Sequence, residues 1–330
     1  MPASRDIDPQ ALPDALLQSV EPVLLPGLVA HWPAAQAGAS SAQAAAAYLR
    51  GCWRDASVGM LLGPPEIEGR FFYNEDLSGF NFKREIGKLD VVLDALMQMT
   101  ADARPPAVYV GSTTVDTCLP GFRAENDLGF GARDPLASIW LGNRSRIAAH
   151  FDLPDNLACV VAGHRRFTLF APDQLPNLYV GPLDLTPAGQ AISLVDFARP
   201  DFERFPRFAQ ALARARVYDL APGDALFIPS LWWHHVEALD PFNVLVNYWW
   251  RQSPAHMDSP MAALMMALMT VRDLPPAQRA AWRSVFDHYV FDADEHTAAH
   301  VPPAARSVLA PLDDAGARRL RAQLLKRLNR

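Results

Sequence analysis

The sequence predicts a mainly β protein with helical additions, and three stretches carry this prediction. Residues 147–170 (IAAHFDLPDNLACVVAGHRRFTLF) and 226–250 (LFIPSLWWHHVEALDPFNVLVNYWW) are apolar, rich in β-branched and aromatic residues, and interrupted by turn-forming residues. From Pro260 onward, apolar residues recur instead at helical spacing. We therefore expect a β-rich body over residues 1–255 and a helical region over residues 256–330.

The composition narrows the class of protein. The chain has 330 residues, half of them apolar, which suffices for a large core in one β-rich domain with additions. The net charge of −6 gives no positive footprint for a phosphate backbone, so we expect no nucleic-acid partner. Three scattered cysteines form neither a disulfide framework nor a Cys-rich zinc site. With no basic and then apolar leader, and no apolar run long enough for a bilayer, we expect a cytoplasmic protein without a membrane partner.

Local patterns predict the individual elements. The alanine-rich residues 42–49 favour a helix capped by Ser40 or Ser41, and apolar spacing predicts a second helix at 89–99. Strands are expected at residues 21–32 (broken by a proline), 58–62, 69–73, 107–111, 136–141, 157–161, 165–169, 216–219, 225–228, 234–238 and 243–249. The C-terminal helices are expected at residues 260–271, 276–290 and 313–328.

Two β-prone runs carry a candidate metal site. His150 and Asp152 lie two positions apart, so on a strand their side chains share one face. The second run adds His234 and His235, of which only one can point the same way, and spacing alone does not decide between them. Two imidazoles and one carboxylate suit non-haem Fe(II). The alternative is a buried polar cluster satisfied by hydrogen bonds.

The middle of the chain resembles a known family. The matching segments recur in order: HFDLPDN, GHRRFTLFAPDQ, NLYVGPLD, VDFARPDFERFPRF, PGDALFIPSLWWHHVE and VNYWW, with weaker likeness in RFFYNEDLSGFNF and AVYVGS. They are similar to the jumonji-C (JmjC) branch of the cupin-like, Fe(II)- and 2-oxoglutarate-dependent oxygenases, and most to the asparaginyl hydroxylases of the factor-inhibiting-HIF type. The resemblance covers roughly residues 22–251. It implies a double-stranded β-helix, or jelly roll, with iron at its mouth.

The resemblance also implies roles for individual residues. The implied iron ligands are His150, Asp152 and His234. Asn156 and Asn247 match amides beside the iron and the cosubstrate, and Tyr109 matches a tyrosine that binds the far carboxylate of 2-oxoglutarate. Bound iron and cosubstrate together would hydroxylate a nearby C–H bond.

Two positions depart from the family pattern. Arg165 stands where the family has its cosubstrate lysine, and arginine can also bind a carboxylate, through two parallel hydrogen bonds. Ile147 stands where the related hydroxylase has a threonine, and it cannot donate a hydrogen bond. The cosubstrate pocket is therefore altered, which leaves open a different oxo-acid or weak 2-oxoglutarate binding. Arg144 and Arg146 are the alternative basic groups.

The expected activity is hydroxylation of a peptide or protein side chain. We expect Trp232, Trp249 and the loop at residues 121–133 to line the mouth of the site, where an extended chain could bind. Enclosed pockets commonly serve small ligands, so a small-molecule substrate is an alternative. Two more classes stay open at this point: a non-catalytic or regulatory metal-binding cupin, and a Zn- or Mn-dependent isomerase or hydrolase.

The helical C-terminal region predicts a homodimer. Its apolar side chains recur at helical spacing and lie outside the β-rich body, so they need cover. They are Met261, Leu264, Met265, Leu268, Trp282, Val285 and Phe286. The family resemblance likewise implies a dimerisation appendage here, and the alternative is that these helices pack back onto their own chain.

Overall fold

The structure is a computed structural model that describes residues 7–329. Its first compact unit ends at Gln252 and its second begins at Ser253. Among the described helices, none combines the length and the apolar character that a membrane crossing needs.

Antiparallel strands form the first unit. In chain order they are β1 (Val23–Leu25), β2 (Ser57–Gly63), β3 (Lys83–Lys88), β4 (Ala107–Thr114), β5 (Leu136–Gly142), β6 (Ser145–His150), β7 (Asp155–Ala162), β8 (Arg165–Phe170), β9 (Arg216–Leu220), β10 (Ala225–Ile228), β11 (Trp233–Ala238) and β12 (Asn243–Trp250). One sheet has the order β1-β10-β7-β12-β5-β4-β2-β3 and the other the order β6-β11-β8-β9. These two sheets confirm the expected mainly β, cupin-like jelly roll with added helices.

The helices of the first unit are α1 (Asp14–Leu17), α2 (Pro33–Ser40), α3 (Ala42–Cys52), α4 (Leu89–Met99), α5 (Val115–Cys118) and α6 (Phe208–Leu212). The expected cap is present, because the Ser41 hydroxyl accepts a hydrogen bond from the Ala44 amide at 3.0 Å. Helix α4 has the predicted bounds, and its buried side chains follow the predicted apolar face.

Strand β7 shows how the two layers of core arise. Every residue of this strand is buried. Ala158 and Val160 point toward the small sheet and pack with residues such as Phe167. Leu157 and Cys159 point the other way, into the larger cluster that the N-terminal helices share. A strand covered on both faces loses polar alternation, which is why this segment reads as a continuous apolar run.

Several local predictions were wrong. Residues 69–73 form no strand, and only an isolated bridge joins Tyr73 to Phe80. The strand in this part of the chain is β3, which begins ten residues after the predicted strand ends. It forms an edge of the large sheet and is mostly exposed. Its sequence KREIGK lacks the apolar alternation of a half-buried strand, so hydrophobic pattern could not reveal it. Helices α2, α5 and α6 were also missed.

The second unit is helical, as expected for this region. It contains α7 (Pro260–Thr270), α8 (Pro276–Phe286), a π-helical turn at Asp287–Phe291, and α9 (Asp314–Leu328). Two of the three helices have side-chain caps: Ser259 caps α7, and Asp313 accepts from the Gly316 amide at the start of α9.

Candidate metal centre and cosubstrate pocket

Three side chains on or next to the four-stranded sheet (β6-β11-β8-β9) converge on one point. One ligand atom from each of His150, Asp152 and His234 lies within 4.8 Å of the others. His150 ends β6 and is paired with His234 on β11, and their ring centroids are 4.3 Å apart. Asp152 follows β6, with its Oδ2 3.6 Å from Nε2 of His234. The structure thus brings together the three residues that the family resemblance implied as ligands.

His235 lies on the opposite face of β11. Its ring packs against Phe197 at 4.5 Å between centroids. Burial, with the Arg146 charge nearby, lowers the pKa of His235 to about 3, so this imidazole is neutral. It lines no part of the pocket that contains His234.

An irregularity in strand β6 aims its side chains into the pocket. The register pairs His234 with His150 and Val236 with Ile147, so β6 holds one more residue than β11 between these two pairs. Such a bulge changes which side chains share a face. Ile147 and His150 are three positions apart, yet both line the pocket. Strict alternation along a strand would not predict this arrangement.

Backbone carbonyls set the tautomer of both histidines. Nδ1 of His150 lies 2.9 Å from the Ala148 oxygen, and Nδ1 of His234 lies 3.0 Å from the Trp232 oxygen. Each Nδ1–H therefore donates to a carbonyl, which leaves the Nε2 lone pair free for a metal. Burial, together with the neighbouring His150, lowers the pKa of His234 to about 4, so the neutral, ligating form is favoured.

The loop that carries Asp152 is tied to the start of β11. The Leu231 amide donates to the Asp152 carbonyl at 3.0 Å, and the Ser230 hydroxyl donates to the Leu153 carbonyl at 2.6 Å. The buried carboxylate of Asp155 accepts from the Ser230 amide at 2.9 Å and from the Gln252 side chain at 2.7 Å. Sequence reasoning missed Asp155. The sequence did contain one indication of it, because Asp155 is a second acidic residue three positions after the candidate ligand Asp152.

The three side chains open into a cavity of about 340 Å³ between the sheets. Both sheets contribute to its walls, and most of the lining residues are aliphatic or aromatic. Its ionisable lining groups are Tyr109, His150, Asp152, Arg165 and His234. A mainly apolar cavity with a few convergent polar groups is typical of a small-ligand site.

Arg165 is a buried cation without a partner among the described residues. Its side chain is 2% exposed, and its Nε is buried with no hydrogen-bond acceptor. Burial lowers the pKa of Arg165 to about 10, which still leaves the guanidinium charged at neutral pH. Burial raises the pKa of Tyr109, while the Arg165 charge opposes that rise. A buried, unpaired cation is costly, so this position suits an anionic ligand.

A glycine turn positions Arg165 at the start of β8. Gly163 joins β7 to β8 with φ +69°, and a Cβ there would lie 2.4 Å from Oδ1 of Asn243. Only glycine fits this turn without displacing its neighbours. By contrast, the two alternative basic groups bind elsewhere. Arg144 donates to the Leu239 carbonyl, and Arg146 pairs with Asp196 at 3.2 Å.

The two predicted amides are neighbours in the same pocket. The Asn247 side chain donates to Oδ1 of Asn156 at 3.3 Å and accepts from the Trp140 indole at 2.7 Å. These contacts fix the orientation of Asn247. The side-chain NH₂ of Asn156 has no acceptor among the described residues, so it remains available to a ligand.

The expected mouth of the pocket needs correction. Trp249 lines it, whereas Trp232 is buried in the core between the sheets and donates to the Val20 carbonyl. The loop at residues 121–133 is also elsewhere, since its Asn126 accepts from the Ala34 amide of α2. Instead, the loop at residues 182–191 reaches the pocket. This irregular segment has no periodicity that could have revealed its position.

The donor set fits a divalent metal of the non-haem iron type. Two neutral imidazoles and one carboxylate on one side of a point leave the remaining coordination positions to small ligands. The facing Arg165 and Tyr109 add a site for a carboxylate in the same cavity. The residues present therefore fit both the iron and the cosubstrate that the resemblance implies.

Comparison with known proteins places the chain in a family. The model of the cupin-like domain family matches residues 9–256. HSPB1-associated protein 1 of Rattus norvegicus is 35% identical over 135 residues, which are 40% of this chain and 28% of that protein. Lysine-specific demethylase JMJ31 of Arabidopsis thaliana is 35% identical over 132 residues, which are 38% of this chain and 24% of that protein.

A third relative has a different named role. The tRNA wybutosine-synthesizing protein 5 of Gallus gallus is 34% identical over 145 residues, which are 39% of this chain and 42% of that protein. Each of these three matches spans less than half of the relative's length. The family match covers most of this chain, including every strand and the three convergent side chains. This chain belongs to the cupin-like domain family, with relatives of the JmjC type.

Proposed function

We propose that this protein is an Fe(II)- and 2-oxoglutarate-dependent oxygenase that hydroxylates a peptide or protein side chain. One observation carries the proposal: the convergent His150, Asp152 and His234 share a cavity with the buried, unpaired Arg165. The names of two relatives, a lysine demethylase and a wybutosine-synthesizing protein, fit oxidative chemistry in this family but differ in their substrates.

In this proposal, Nε2 of each histidine and the Asp152 carboxylate would hold the iron. When bound, iron supplies the activation of O2 that is coupled to oxidative decarboxylation of 2-oxoglutarate. The protein's own task is to orient the reactants and exclude water from them. The apolar walls would help to exclude water once the ligands are bound, and the carbonyls of Ala148 and Trp232 keep the imidazoles in the ligating tautomer.

Arg165 and Tyr109 would bind the far carboxylate of the cosubstrate. The guanidinium would be partnered by the carboxylate, which removes the cost of an unpaired buried charge. Ile147 also lines the cavity and adds no donor. The carboxylate therefore depends mainly on one arginine, and other short oxo-acids belong in the same binding test.

The direct test is turnover after anaerobic loading with Fe(II). Release of succinate on adding O2 and 2-oxoglutarate, and its loss with a chelator, would support the oxygenase. Metal binding without any succinate, with or without added peptides, would favour a non-catalytic or regulatory metal-binding cupin. Ile147 in place of a donor is the observation that keeps this second candidate in view.

The proposed substrate rests on separate observations from the chemistry. The likeness to asparaginyl hydroxylases and the net charge of −6 favour a peptide over a nucleic acid. Mass spectrometry of peptide, tRNA and metabolite pools after turnover would separate these substrate classes, since a product gains one oxygen atom. Modification of RNA or of a metabolite alone would contradict the peptide proposal.

We also propose a cytoplasmic homodimer that associates through the second unit. No residue of α7 or α8 is buried within the chain, and Met269 and Phe291 are 66% and 74% exposed. Exposed apolar surface of this extent is typical of a protein–protein interface. In a two-fold dimer, the same surface of a second copy would cover it. The three cysteines are unpaired, which is compatible with a reducing compartment.

A further inference from the structure

A chain of hydrogen bonds crosses three neighbouring strands of the large sheet. Trp140 lies on β5, Asn247 on β12 and Asn156 on β7, and all three side chains line the cavity. The register pairs Leu245 with Trp140 and Trp249 with Asn156, so each link joins diagonal neighbours on one face. Nε1 of Trp140 lies 2.7 Å from Oδ1 of Asn247, and Nδ2 of Asn247 lies 3.3 Å from Oδ1 of Asn156.

The indole fixes the direction of this chain. An indole N–H can only donate, whereas a carboxamide has an accepting end and a donating end. Trp140 therefore requires the oxygen of Asn247, which turns the NH₂ of Asn247 toward Asn156. Asn156 in turn presents its oxygen to Asn247, and its own NH₂ has no acceptor among the described residues. The side chain of Asn156 is only 6% exposed, so the indole decides that a buried amide offers the cavity a donor.

The ring of Trp140 is held by its neighbours. It packs edge-to-face against Trp249, with 5.7 Å between the ring centroids, and lies 5.9 Å from the ring of Tyr109. A Cβ at Gly111 would lie 3.2 Å from Cζ3 of Trp140, so the glycine leaves room for this ring. Packing on several sides keeps Nε1 directed at Asn247, which is what a group that orients others requires.

The free donor lies at the metal end of the cavity. Asn156 stands at the start of β7, directly after the loop that carries Asp152. Arg165 begins β8 and pairs with Ala238, four positions beyond His234 on β11. In the proposed function, Arg165 binds the far carboxylate, so the other end of the oxo-acid lies toward Asn156. That end carries carboxylate and oxo oxygens, which accept hydrogen bonds and would be repelled by an amide oxygen.

We propose that Trp140 is a positioning residue that acts through Asn247 to keep Asn156 a hydrogen-bond donor toward the metal end of the oxo-acid. Without the indole, both amides could turn over and present an oxygen to the ligand instead. This inference rests on the proposed function for the metal and the cosubstrate, and it adds a residue whose effect on them passes through two other side chains.

The test is a double-mutant cycle on the full-length protein loaded with Co(II), with 2-oxoglutarate affinity measured by calorimetry. Trp140→Phe keeps an aromatic ring and removes the N–H, so affinity should fall about fivefold, the scale of one neutral hydrogen bond. Asn156→Ala should weaken binding by a similar factor. In the Asn156→Ala background, Trp140→Phe should change affinity by less than about twofold, because its target is absent. A role of the ring in packing alone would cost affinity equally in both backgrounds.

Two further variants support this cycle. Asn247→Ala removes the middle link and should reproduce both results, which keeps the test decisive if Trp140→Phe folds poorly. Trp250→Phe is the matched control, since its indole Nε1 is buried without an acceptor among the described residues. Its ring packs against Phe227 outside the cavity, so 2-oxoglutarate affinity should stay within about twofold of the wild type. Circular dichroism checks the folding of each variant.

The outcomes separate the proposed function from this inference. Failure of the wild-type protein to bind Co(II) or 2-oxoglutarate would overturn the proposed function, and the inference with it. If both bind, unchanged affinity in Trp140→Phe or in Asn156→Ala would overturn the inference alone. Equal losses from Trp140→Phe with and without Asn156 would do the same, because the ring would then act by packing.

Discussion

His150 and His234 face each other across adjacent strands, with 4.3 Å between their ring centroids and each Nδ1 bound to a backbone carbonyl two residues earlier. The two imidazoles therefore reach the cavity in matched orientation. Asp152 completes the set from a loop rather than from a strand.

The first prediction concerns the metal. Asp152→Ala should abolish tight Fe(II) or Co(II) binding, because it removes the single anionic ligand of the set. His235→Ala should retain the metal, because that ring lies on the other face of β11. Metal content after dialysis, with circular dichroism as a check on folding, measures both. Loss of metal in the His235 variant alone would reassign the ligand.

The second prediction concerns the cosubstrate. Arg165→Ala should weaken 2-oxoglutarate binding by about 2–5 kcal/mol, the scale for losing a buried charge partner. Arg166→Ala is the matched control, since its exposed side chain pairs with Asp219 outside the cavity. Titration calorimetry in the presence of Co(II) measures both affinities. Equal losses in the two variants would show that Arg165 has no special role.

The third prediction concerns stabilisation by the metal. A ligand that binds the folded state alone adds about 2.7 kcal/mol when its concentration is about 100 times its Kd. Excess Co(II) should therefore raise the melting temperature of the wild-type protein, and a chelator should reverse the shift. Thermal denaturation of Asp152→Ala should show no such shift. A similar rise in that variant would place the binding elsewhere.

The fourth prediction concerns the loop that presents Asp152. Asp155→Ala should lower the free energy of unfolding by about 1–3 kcal/mol, because it removes the charged acceptor of the partly buried Ser230 amide. Metal affinity should also fall, since Asp155 ties the ligand loop to Ser230. Asp219→Ala, at an exposed ion pair, should cost at most about 1 kcal/mol and leave the metal bound. Urea denaturation and metal titration together test this link.

The fifth prediction concerns the oligomeric state. Light scattering should give a mass twice the chain mass of 36.3 kDa, because the second unit exposes a broad apolar surface. Met269→Glu should shift the protein toward the monomer, while Glu295→Gln, at an exposed position of the same unit, should not. A mass near that of one chain at micromolar concentration would contradict the dimer.

The sequence predicted best the helices and strands whose buried apolar residues recur periodically. Helix α4 and strands such as β7 and β12 were placed closely because their apolar residues report which faces are covered. Strand β3 was missed because it is mostly exposed and has no apolar alternation. Helix α2 was missed because its segment PAAQAGAS, which contains a proline and a glycine, has no strong run of helix formers. The pairing of residues in the jelly roll depends on contacts distant in sequence, so the resemblance supplied it rather than periodicity.

The site was predictable in its residue types and less so in its geometry. His150 and Asp152 stood out by spacing, but the choice of His234 over His235 was taken from the resemblance. Alternation along a strand could not predict that Ile147 and His150 both face the cavity. This arrangement depends on the bulge in β6, which leaves no pattern in the sequence.

Strand β3 ends the large sheet with one row of backbone groups unpaired, and Ile86 on it is 81% exposed. Such an edge is a template on which another chain can add a strand, and lysines along it oppose that addition. Lys83, Arg84 and Lys88 therefore protect the protein from aggregation. Replacing Lys83 and Lys88 with valines, which leaves the contact of Arg84 with the Pro187 carbonyl beside the cavity in place, would turn the edge into a starting point for aggregation. The charge of this short strand thus helps to keep the protein dissolved at high concentration.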